Sequence, residues 1–376
     1  MSRRLRLLKV FGLLFVLFFG TIVAGCIGGE EKTTTKTTTP TGGTETTTPS
    51  KVHTPSKVQQ YEYTILGGSI GGGWYPLASA MADLFEKKIP GLKMTVKPGG
   101  ALTNIIKIAN NEAQFGFTKN FMLTLAKKDP KLIFPENTEP LPPEKLENIK
   151  VVSNLIPAPI YVIVDKKFFE KYNIEDKDNV LDYVFKNKIP VRIGTNPPGH
   201  SNYVLWQYMK NFYGITDDDI KSWGGTIYYI QHKDAIQLMK TGKLDIYFSS
   251  ITGVPQSTVL EFASTVDVYF VNLAKTELGQ YLKKELGLVE YTIPAGTYKG
   301  QDYPLETIAP VDIMIVNKDV PEDIVYQVTK IIYDEKDTLA ATIKDMARLN
   351  PEFGVQVVWP MHPGAERYFR EIGALK

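Results

Sequence analysis

The stretch YEYTILGGSIGGGWYP, residues 61–76, predicts a short strand, a glycine-rich loop and the start of a helix. Five of the seven residues from 67 to 73 are glycine, which allows the backbone to take positive φ and to approach other groups closely. Pro76 suits the first position of a helix, where its missing N–H would have no partner. Because the first N–H groups of a helix and the positive end of its dipole attract anions, the stretch predicts an anion-binding loop.

Two familiar nucleotide-binding patterns do not fit this loop. A phosphate-binding loop ends in Gly-Lys-Ser/Thr, and Trp74 and Tyr75 stand there instead. The dinucleotide pattern needs Gly-x-Gly-x-x-Gly and an acid about 20 residues further on, whereas Gly68 and Gly71 have the wrong spacing and Asp83 is too near. A glycine-rich turn that only reverses the chain remains the alternative.

The residues that follow predict an α/β architecture. Helical periodicity at 76–88 and 102–109 alternates with strand-like runs at 92–96 and 115–118. Strands joined by helices of this length pair in parallel through right-handed crossovers, and such sheets bind ligands beyond the carboxyl ends of their strands. The glycine loop and residues 118–120 are therefore expected to line one crevice.

A second α/β series repeats this order. A strand at 191–194 leads through a Gly/Pro/Ser turn at 195–201 into a helix at 202–213. A strand at 226–230 and a helix at 233–240 come next, and the loop 249–255 follows a strand at 244–248. The turn at 195–201 again places N–H groups and hydroxyls at a helix start. We expect two lobes that face each other with polar, glycine-bearing loops.

Pro157-Ala158-Pro159 interrupts two strand-like runs and marks a candidate crossing between the lobes. A return crossing is expected between Asn272 and Pro310. Hinge motion around the two crossings would open and close a cleft. The predicted lobes are 59–157 with 272–376, and 158–271.

The amino-terminal residues predict export and tethering. Residues 1–25 combine a basic start with an apolar run from Val10 to Ala24, which is typical of a signal peptide and too short to span a membrane. The only cysteine, Cys26, follows directly, as in a lipobox, and predicts cleavage and lipid attachment; a free thiol or an uncleaved anchor is the alternative. Eleven threonines between Thr33 and Thr48, in the linker 26–58, predict a disordered stalk, of a kind that is often O-glycosylated and similar to those of archaeal surface lipoproteins.

The charge of the mature chain excludes some partners. Without residues 1–25, which carry four basic and no acidic side chains, 39 Lys and Arg face 41 Asp and Glu. A balance near zero argues against nucleic acid and against an anionic membrane surface as partners. With no cysteine besides Cys26, no intramolecular disulfide can form.

Groups that could carry out catalysis or bind metal are few. The four histidines show no metal-ligand spacing, which leaves only a metal site built from distant positions. No Gly-x-Ser-x-Gly elbow and no base with an orienting group lies near the glycine loops. The sequence therefore indicates no metal, no cofactor and no catalytic residue. An exported hydrolase or lyase on the same fold remains the alternative function.

Eight segments stand in a characteristic order and spacing: 67–77, 98–104, 116–120, 192–201, 248–255, 292–301, 320–326 and 362–373. Together they resemble the TAXI solute-binding proteins, the extracytoplasmic subunits of one branch of TRAP transporters. The resemblance implies a two-lobed α/β, periplasmic-binding-protein-like (type II-like) fold with a ligand cleft between the lobes. It also implies capture of a small carboxylated solute, without enzymatic activity, and delivery to an integral membrane subunit for ion-gradient-driven uptake. The candidate solutes are a glutamate- or glutamine-like amino acid, a dicarboxylate or a 2-oxo acid.

The resemblance also places the ligand-binding residues in four segments: the glycine loop, residues 118–120, the turn 195–201 and the loop 249–253. The expected ligand-binding residues are Gly68, Ser69, Gly72, Gly73, Trp74, Tyr75, Lys119, Asn120, Thr195, Gly199, His200, Ser201, Ser249, Thr252 and Gly253. Trp74 and Tyr75 are expected to pack against the apolar carbons of the ligand.

Lys119 departs from the family pattern, because relatives commonly have a neutral Gln-Ser pair where Lys119 and Asn120 stand. One interpretation is that Lys119 gives the cleft a positive charge, which would favour a second carboxylate on the ligand. The other interpretation is that Lys119 turns outward and places its ammonium in solvent.

Overall fold

The computed structural model describes residues 59–70, 72–134 and 138–376. These residues belong to one compact unit, which has a two-lobed, mixed α/β fold with a five-stranded sheet in each lobe. The predicted signal peptide, Cys26 and the threonine-rich linker lie outside the described residues.

The first lobe begins with alternating strands and helices, as the sequence predicts. Its elements are β1 (Tyr61–Leu66), α1 (Trp74–Lys88), β2 (Leu92–Lys97), α2 (Ala101–Ala109), β3 (Phe115–Lys119), α3 (Asn120–Lys128), α4 (Pro130–Ile133), α5 (Pro143–Leu146) and β4 (Ile149–Pro157).

The second lobe follows after Ala158 and Pro159. Its elements are β5 (Ile160–Asp165), α6 (Lys166–Tyr172), α7 (Val180–Lys186), β6 (Arg192–Thr195), α8 (Ser201–Tyr213), α9 (Asp217–Ser222), β7 (Thr226–Tyr229), α10 (His232–Lys240), β8 (Ile246–Ser250), α11 (Ser257–Thr265) and β9 (Val268–Phe270).

The rest of the chain adds a helix and a hairpin and then returns to the first sheet. Its elements are α12 (Glu277–Leu286), β10 (Val289–Ile293), β11 (Leu305–Ala309), β12 (Val311–Asn317), α13 (Glu322–Asp334), α14 (Lys336–Ala340), α15 (Pro351–Gly354) and α16 (Pro363–Glu371), with 3₁₀ turns at Leu273–Lys275 and Lys344–Arg348.

Each sheet combines parallel strands with one strand that runs the opposite way. The strand orders are β2-β1-β3-β12-β4 in the first sheet and β7-β6-β8-β5-β9 in the second. The predicted parallel pairing is confirmed for β1 with β2 and β3 and for β6 with β7 and β8. β12 and β5 pair with both of their neighbours in antiparallel fashion. Both are the first strands after the chain has crossed from one lobe to the other.

Residues 273–309 pack with the second lobe. β11 contacts β5, and α12 contacts α8. The Thr307 hydroxyl donates to the carbonyl of Ile160 at 2.6 Å, and Ile293 and Leu305 lie in the same apolar core as residues of the second sheet. The chain therefore returns to the first sheet at Pro310, the end of the range 272–310 expected for this crossing.

Candidate functional site

A cavity lies between the two lobes, where the amino ends of four helices meet. Helices α1 and α2 come from the first lobe, and α8 and α10 come from the second. The space into which the centre of a water molecule fits is about 70 Å³, several times the roughly 10–15 Å³ that one water needs. The lining residues are Gly68, Ser69, Gly72, Gly73, Trp74, Gly100, Ala101, Lys119, His200, Ser201, Asn202, His232, Ser250, Ile251 and Thr252.

Nine of the expected ligand-binding residues lie in this lining: Gly68, Ser69, Gly72, Gly73, Trp74, Lys119, His200, Ser201 and Thr252. The sequence interpretation missed Gly100, Ala101, Asn202, His232, Ser250 and Ile251. Two of these carried a usable signal. Ala101 follows a Gly-Gly pair at a predicted helix start, and His232 opens the helix that follows β7, so both lie beyond the carboxyl end of a strand.

Three of the expected residues have supporting roles beside the cavity. Thr195 and Ser249 are fully buried at the carboxyl ends of β6 and β8. Asn120 joins backbone groups from distant parts of the chain: its Oδ1 accepts from the Val311 N–H at 3.1 Å, and its Nδ2 donates to the Gly287 carbonyl at 3.4 Å. These side chains are absent from the lining of the cavity.

Gly199, Tyr75 and Gly253 also lie outside the lining. The Gly199 carbonyl accepts from the Leu102 N–H at 3.2 Å, a hydrogen bond that joins the two lobes. Tyr75 is half-buried in the first turn of α1, and the expected contact of this ring with a ligand finds no support in the lining. Gly253 has φ +91°, a conformation that favours glycine, and lies in a separate groove.

The glycine loop serves close packing. Its described glycines do not adopt positive φ, so that part of the prediction is wrong for residues 67, 68, 72 and 73. A Cβ at Gly67 would lie 2.8 Å from the Tyr75 Cα, and one at Gly73 would lie 3.2 Å from the Thr252 carbonyl oxygen. α1 begins at Trp74, so Pro76 is its third residue, where a missing N–H still leaves no intrahelical bond unmade.

Asn104 fixes the amino end of α2 against the first sheet. This side chain is fully buried, and its Nδ2 donates to the carbonyls of Gly67 at 2.9 Å, Phe117 at 2.8 Å and Leu66 at 3.4 Å. Its Oδ1 accepts from the Gly100 N–H at 3.2 Å. One amide therefore ties the start of a helix to the carboxyl ends of β1 and β3.

Asn202 does the same for α8 in the second lobe. Its Nδ2 lies 2.8 Å from Asn196 Oδ1, 2.8 Å from Ser249 Oγ and 3.1 Å from the Ser250 carbonyl. Its Oδ1 accepts from the Ser250 N–H at 3.0 Å. The carboxyl end of β8 and the start of α8 are thus held at the cavity by one buried amide.

Lys119 forms an ion pair inside the protein. Its side chain is 3% exposed, and that of its partner Asp312 is 1% exposed; the two residues oppose each other on β3 and β12. Burial lowers the pKa of Lys119, and the Asp312 carboxylate opposes that shift. The interpretation that Lys119 turns outward into solvent is wrong. The ammonium also lies 5.1 Å from the Trp74 ring centroid.

Asp312 also links the two lobes. Its second carboxylate oxygen accepts from the Thr252 hydroxyl at 2.7 Å, and Thr252 follows β8 in the second lobe. Both oxygens of Asp312 are therefore engaged, one by Lys119 and one by Thr252. The positive charge of Lys119, which the sequence suggested for the cleft, is therefore neutralised by Asp312 within the cavity wall.

Two neutral histidines complete the polar lining. His232 Nδ1 lies 2.6 Å from the Tyr247 hydroxyl. Burial lowers the pKa of His232 to about 4, and the neighbouring His200 adds to this shift. Burial also lowers the pKa of His200. At neutral pH both imidazoles are uncharged and act as hydrogen-bonding groups.

Trp74, which lines the cavity, carries an unsatisfied donor. The side chain is 8% exposed, and its indole Nε1 is buried without a hydrogen-bond partner among the described residues. A buried donor without a partner costs free energy.

The described residues do not assemble a metal site. Within residues 59–70, 72–134 and 138–376, no group of three or more His, Cys, Asp and Glu side chains could hold a metal ion. Burial raises the pKa of Tyr247, so the phenol beside His232 keeps its proton. In the same part of the chain no helix is long and apolar enough to cross a membrane.

Residues 65–373 match the NMT1-like family, and the chain belongs to this family. MatC from Rhodopseudomonas palustris, solved with bound malate, is 12% identical with a TM-score of 0.48, over 76% of this chain and 88% of MatC. The periplasmic binding protein BugD is 14% identical with a TM-score of 0.45, over 76% of this chain and 86% of BugD. DctP7, a Bordetella pertussis extracytoplasmic solute receptor that binds pyroglutamic acid, is 15% identical with a TM-score of 0.40, over 84% and 92%.

Proposed function

We propose that this protein is an extracytoplasmic solute-binding protein that takes a small carboxylated solute into the cavity between its lobes. The observation that carries the proposal is that the amino ends of four helices, two from each lobe, meet at one cavity. Helix amino ends stabilise an anion through their N–H groups and their dipoles. The hydroxyls of Ser69 and Ser201 add donors of adjustable direction.

Closure of the lobes around the solute is part of this proposal. The hydrogen bonds from Leu102 to Gly199 and from Thr252 to Asp312 join the lobes directly. We propose that the lobes rotate about residues 157–159 and about Pro310, so that these bonds form when the cleft closes. The resulting lobes are 59–157 with 311–376, and 160–309. They differ from the expected lobes because residues 273–309 pack with the second sheet.

The finer proposal is that the protein serves a TAXI-type TRAP transporter. It is supported by the order and spacing of the eight segments that resemble this family and by the export signals in residues 1–26. On this proposal the protein is attached by lipid at Cys26 to the extracytoplasmic face of the membrane. It delivers its solute to an integral membrane subunit, with uptake driven by an ion gradient and without enzymatic turnover.

The test is a ligand screen with the full-length chain in detergent. Thermal unfolding is measured at pH 7.5 with amino acids, dicarboxylates, 2-oxo acids and hydroxy acids, and each acid that raises Tm is recovered and identified. We expect at least one small acid to raise Tm and to be recovered unchanged. Conversion of that acid would instead indicate the exported enzyme, and no rise in Tm with any acid would refute binding of a carboxylated solute.

A pair of glycine variants tests the role of closure. A Cβ at Gly73 would lie 3.2 Å from the Thr252 carbonyl oxygen and 3.4 Å from Ile343 Cδ1, whereas the nearest atom to a Cβ at Gly100 lies at 3.6 Å. We expect Gly73→Val to weaken the binding of the acid from the screen at least tenfold, about 1.4 kcal/mol. Gly100→Ala, at an extended backbone position with φ −172°, should change it less than twofold. Equal effects in calorimetric titrations would contradict a requirement for close approach at Gly73.

A further inference from the structure

The cavity wall presents no unbalanced side-chain charge to a ligand at neutral pH. Three ionisable side chains line the cavity: Lys119, His200 and His232. The Lys119 ammonium is matched by Asp312, and burial holds both imidazoles in the neutral form. Within the described residues, the lining contains no Asp or Glu side chain.

We infer that the cavity selects a solute with one carboxylate and an otherwise uncharged body, and that it discriminates against dicarboxylates and against α-amino acids. The inference rests on the proposed function and narrows it. Of the solutes suggested by the sequence, it retains 2-oxo acids and related hydroxy acids with one carboxylate.

One carboxylate has its counter-charge in the fold. Each helix amino end carries a partial positive charge, and the ends of α1, α2, α8 and α10 offer their N–H groups to an anionic group placed between the lobes. A second carboxylate would need a further cation in a site from which water is excluded. The one candidate in the lining, Lys119, already neutralises Asp312, and both side chains are too deeply buried to turn away from each other.

An ammonium group also lacks a partner. A buried ammonium needs a carboxylate or several free carbonyl oxygens. Asp312 has one oxygen on Lys119 and the other on the Thr252 hydroxyl. The Gly199 carbonyl accepts from Leu102 and the Ser250 carbonyl from Asn202. An uncharged hydroxyl or carbonyl on the solute, in contrast, needs no counter-charge and can bond to serine hydroxyls or to an imidazole.

Matched pairs of acids test the inference by calorimetric titration of the full-length chain at pH 7.5. Dicarboxylates of four to six carbons are compared with their monoamides, for example succinate with succinamate, and alanine is compared with lactate. In each pair that binds, we expect the acid with one carboxylate and no other charge to bind at least tenfold more tightly. Equal or tighter binding of a dicarboxylate or an amino acid would overturn the inference and leave the proposed function standing. If no member of the series binds, both fail.

Two variants test whether the neutralisation of Lys119 by Asp312 causes the discrimination against dicarboxylates. Asp312→Asn removes the counter-charge of Lys119, so the ratio of dicarboxylate to monoamide affinity should rise at least tenfold. The double variant Lys119→Met/Asp312→Leu removes both charges and should keep the wild-type ratio within threefold. Circular dichroism verifies the fold, and the double variant provides the test where the single variant does not fold. A wild-type ratio in Asp312→Asn, or a dicarboxylate preference in the double variant, would overturn the inference.

Discussion

The two lobes hold their helix ends at the cavity by the same means but with different partners. In the first lobe Asn104 lies in the first turn of α2, and in the second lobe Asn202 lies in the first turn of α8. Asn104 bonds only to backbone groups, whereas two of the partners of Asn202 are side chains. The repeated fold places an asparagine amide at the same point of each lobe, at the start of a helix. The groups to which that amide bonds differ between the lobes.

The lobes also differ in how they treat charge. The first lobe contributes a buried ion pair, Lys119 with Asp312, whereas the second contributes the imidazoles of His200 and His232. The charge in the first lobe is fixed by its partner, and the second lobe can gain charge on acidification. The following predictions test this contrast, beginning with the largest effect.

The largest expected effect follows from breaking the ion pair of the first lobe. Lys119→Met leaves Asp312 buried without its partner, which should lower the free energy of unfolding by about 4 kcal/mol. The double variant Lys119→Met/Asp312→Leu should recover most of this loss, because two apolar groups can replace a buried pair. Urea unfolding monitored by circular dichroism measures both.

The second lobe supplies a matched control for that experiment. Lys210 Nζ lies 2.6 Å from Asp217 Oδ1, and the two side chains are 10% and 25% exposed, respectively. Since water reaches this pair, Lys210→Met should cost only about 1 kcal/mol. A loss at Lys210 as large as that at Lys119 would show that burial does not distinguish the two pairs.

Replacing the asparagine of the first lobe should also lower the free energy of unfolding more than replacing that of the second lobe. Asn104→Ala leaves three backbone carbonyls and one backbone N–H without the side-chain amide that now bonds to them. Because fixed backbone groups cannot turn to find another partner, we expect the free energy of unfolding to fall by about 3 kcal/mol. Asn202→Ala should cost about 2 kcal/mol, because Asn196 and Ser249 can bond to each other, as they already do at 3.1 Å. Urea unfolding of both variants gives the comparison, and an equal or larger loss for Asn202→Ala would contradict it.

The sequence predicted the local features of both lobes and the parallel pairing of several strands, but it missed the antiparallel pairing of β12. The strand, glycine loop and helix start at residues 61–76 could be predicted because each has a local signature in periodicity and composition. The position of β12 in the sheet could not be predicted, because an apolar run does not indicate which strands it will pair with. Asp312 lies 193 positions from Lys119, so a sequence pattern shows the lysine at a strand end but not the carboxylate that neutralises it. The missed His232 had a local signal, because it opens a helix directly after a predicted strand.

A pH dependence of stability is expected to arise in the second lobe. His232 has a pKa of about 4 in the folded protein, lowered by burial, against about 6.5 in an unfolded chain. Below pH 6.5 the unfolded chain binds a proton that the folded protein does not bind until about pH 4, so this histidine makes stability fall as pH falls through that window. The groups that face it are His200 and Tyr247, and neither carries a negative charge there.

His232→Gln should remove this dependence. We expect the free energy of unfolding of the wild type, minus that of His232→Gln, to fall by about 2 kcal/mol between pH 7.5 and pH 4.5. Taking the difference cancels the titration of other groups. His362→Gln is the counterpart in the first lobe; burial also lowers the pKa of His362, so its difference should have the same sign. A saturating solute should alter only the His232 difference, because His232 lines the cavity and His362 does not. A pH-independent His232 difference would show that this imidazole is as well hydrated as in the unfolded chain, and the wall of the second lobe would then carry a titrating charge near neutral pH.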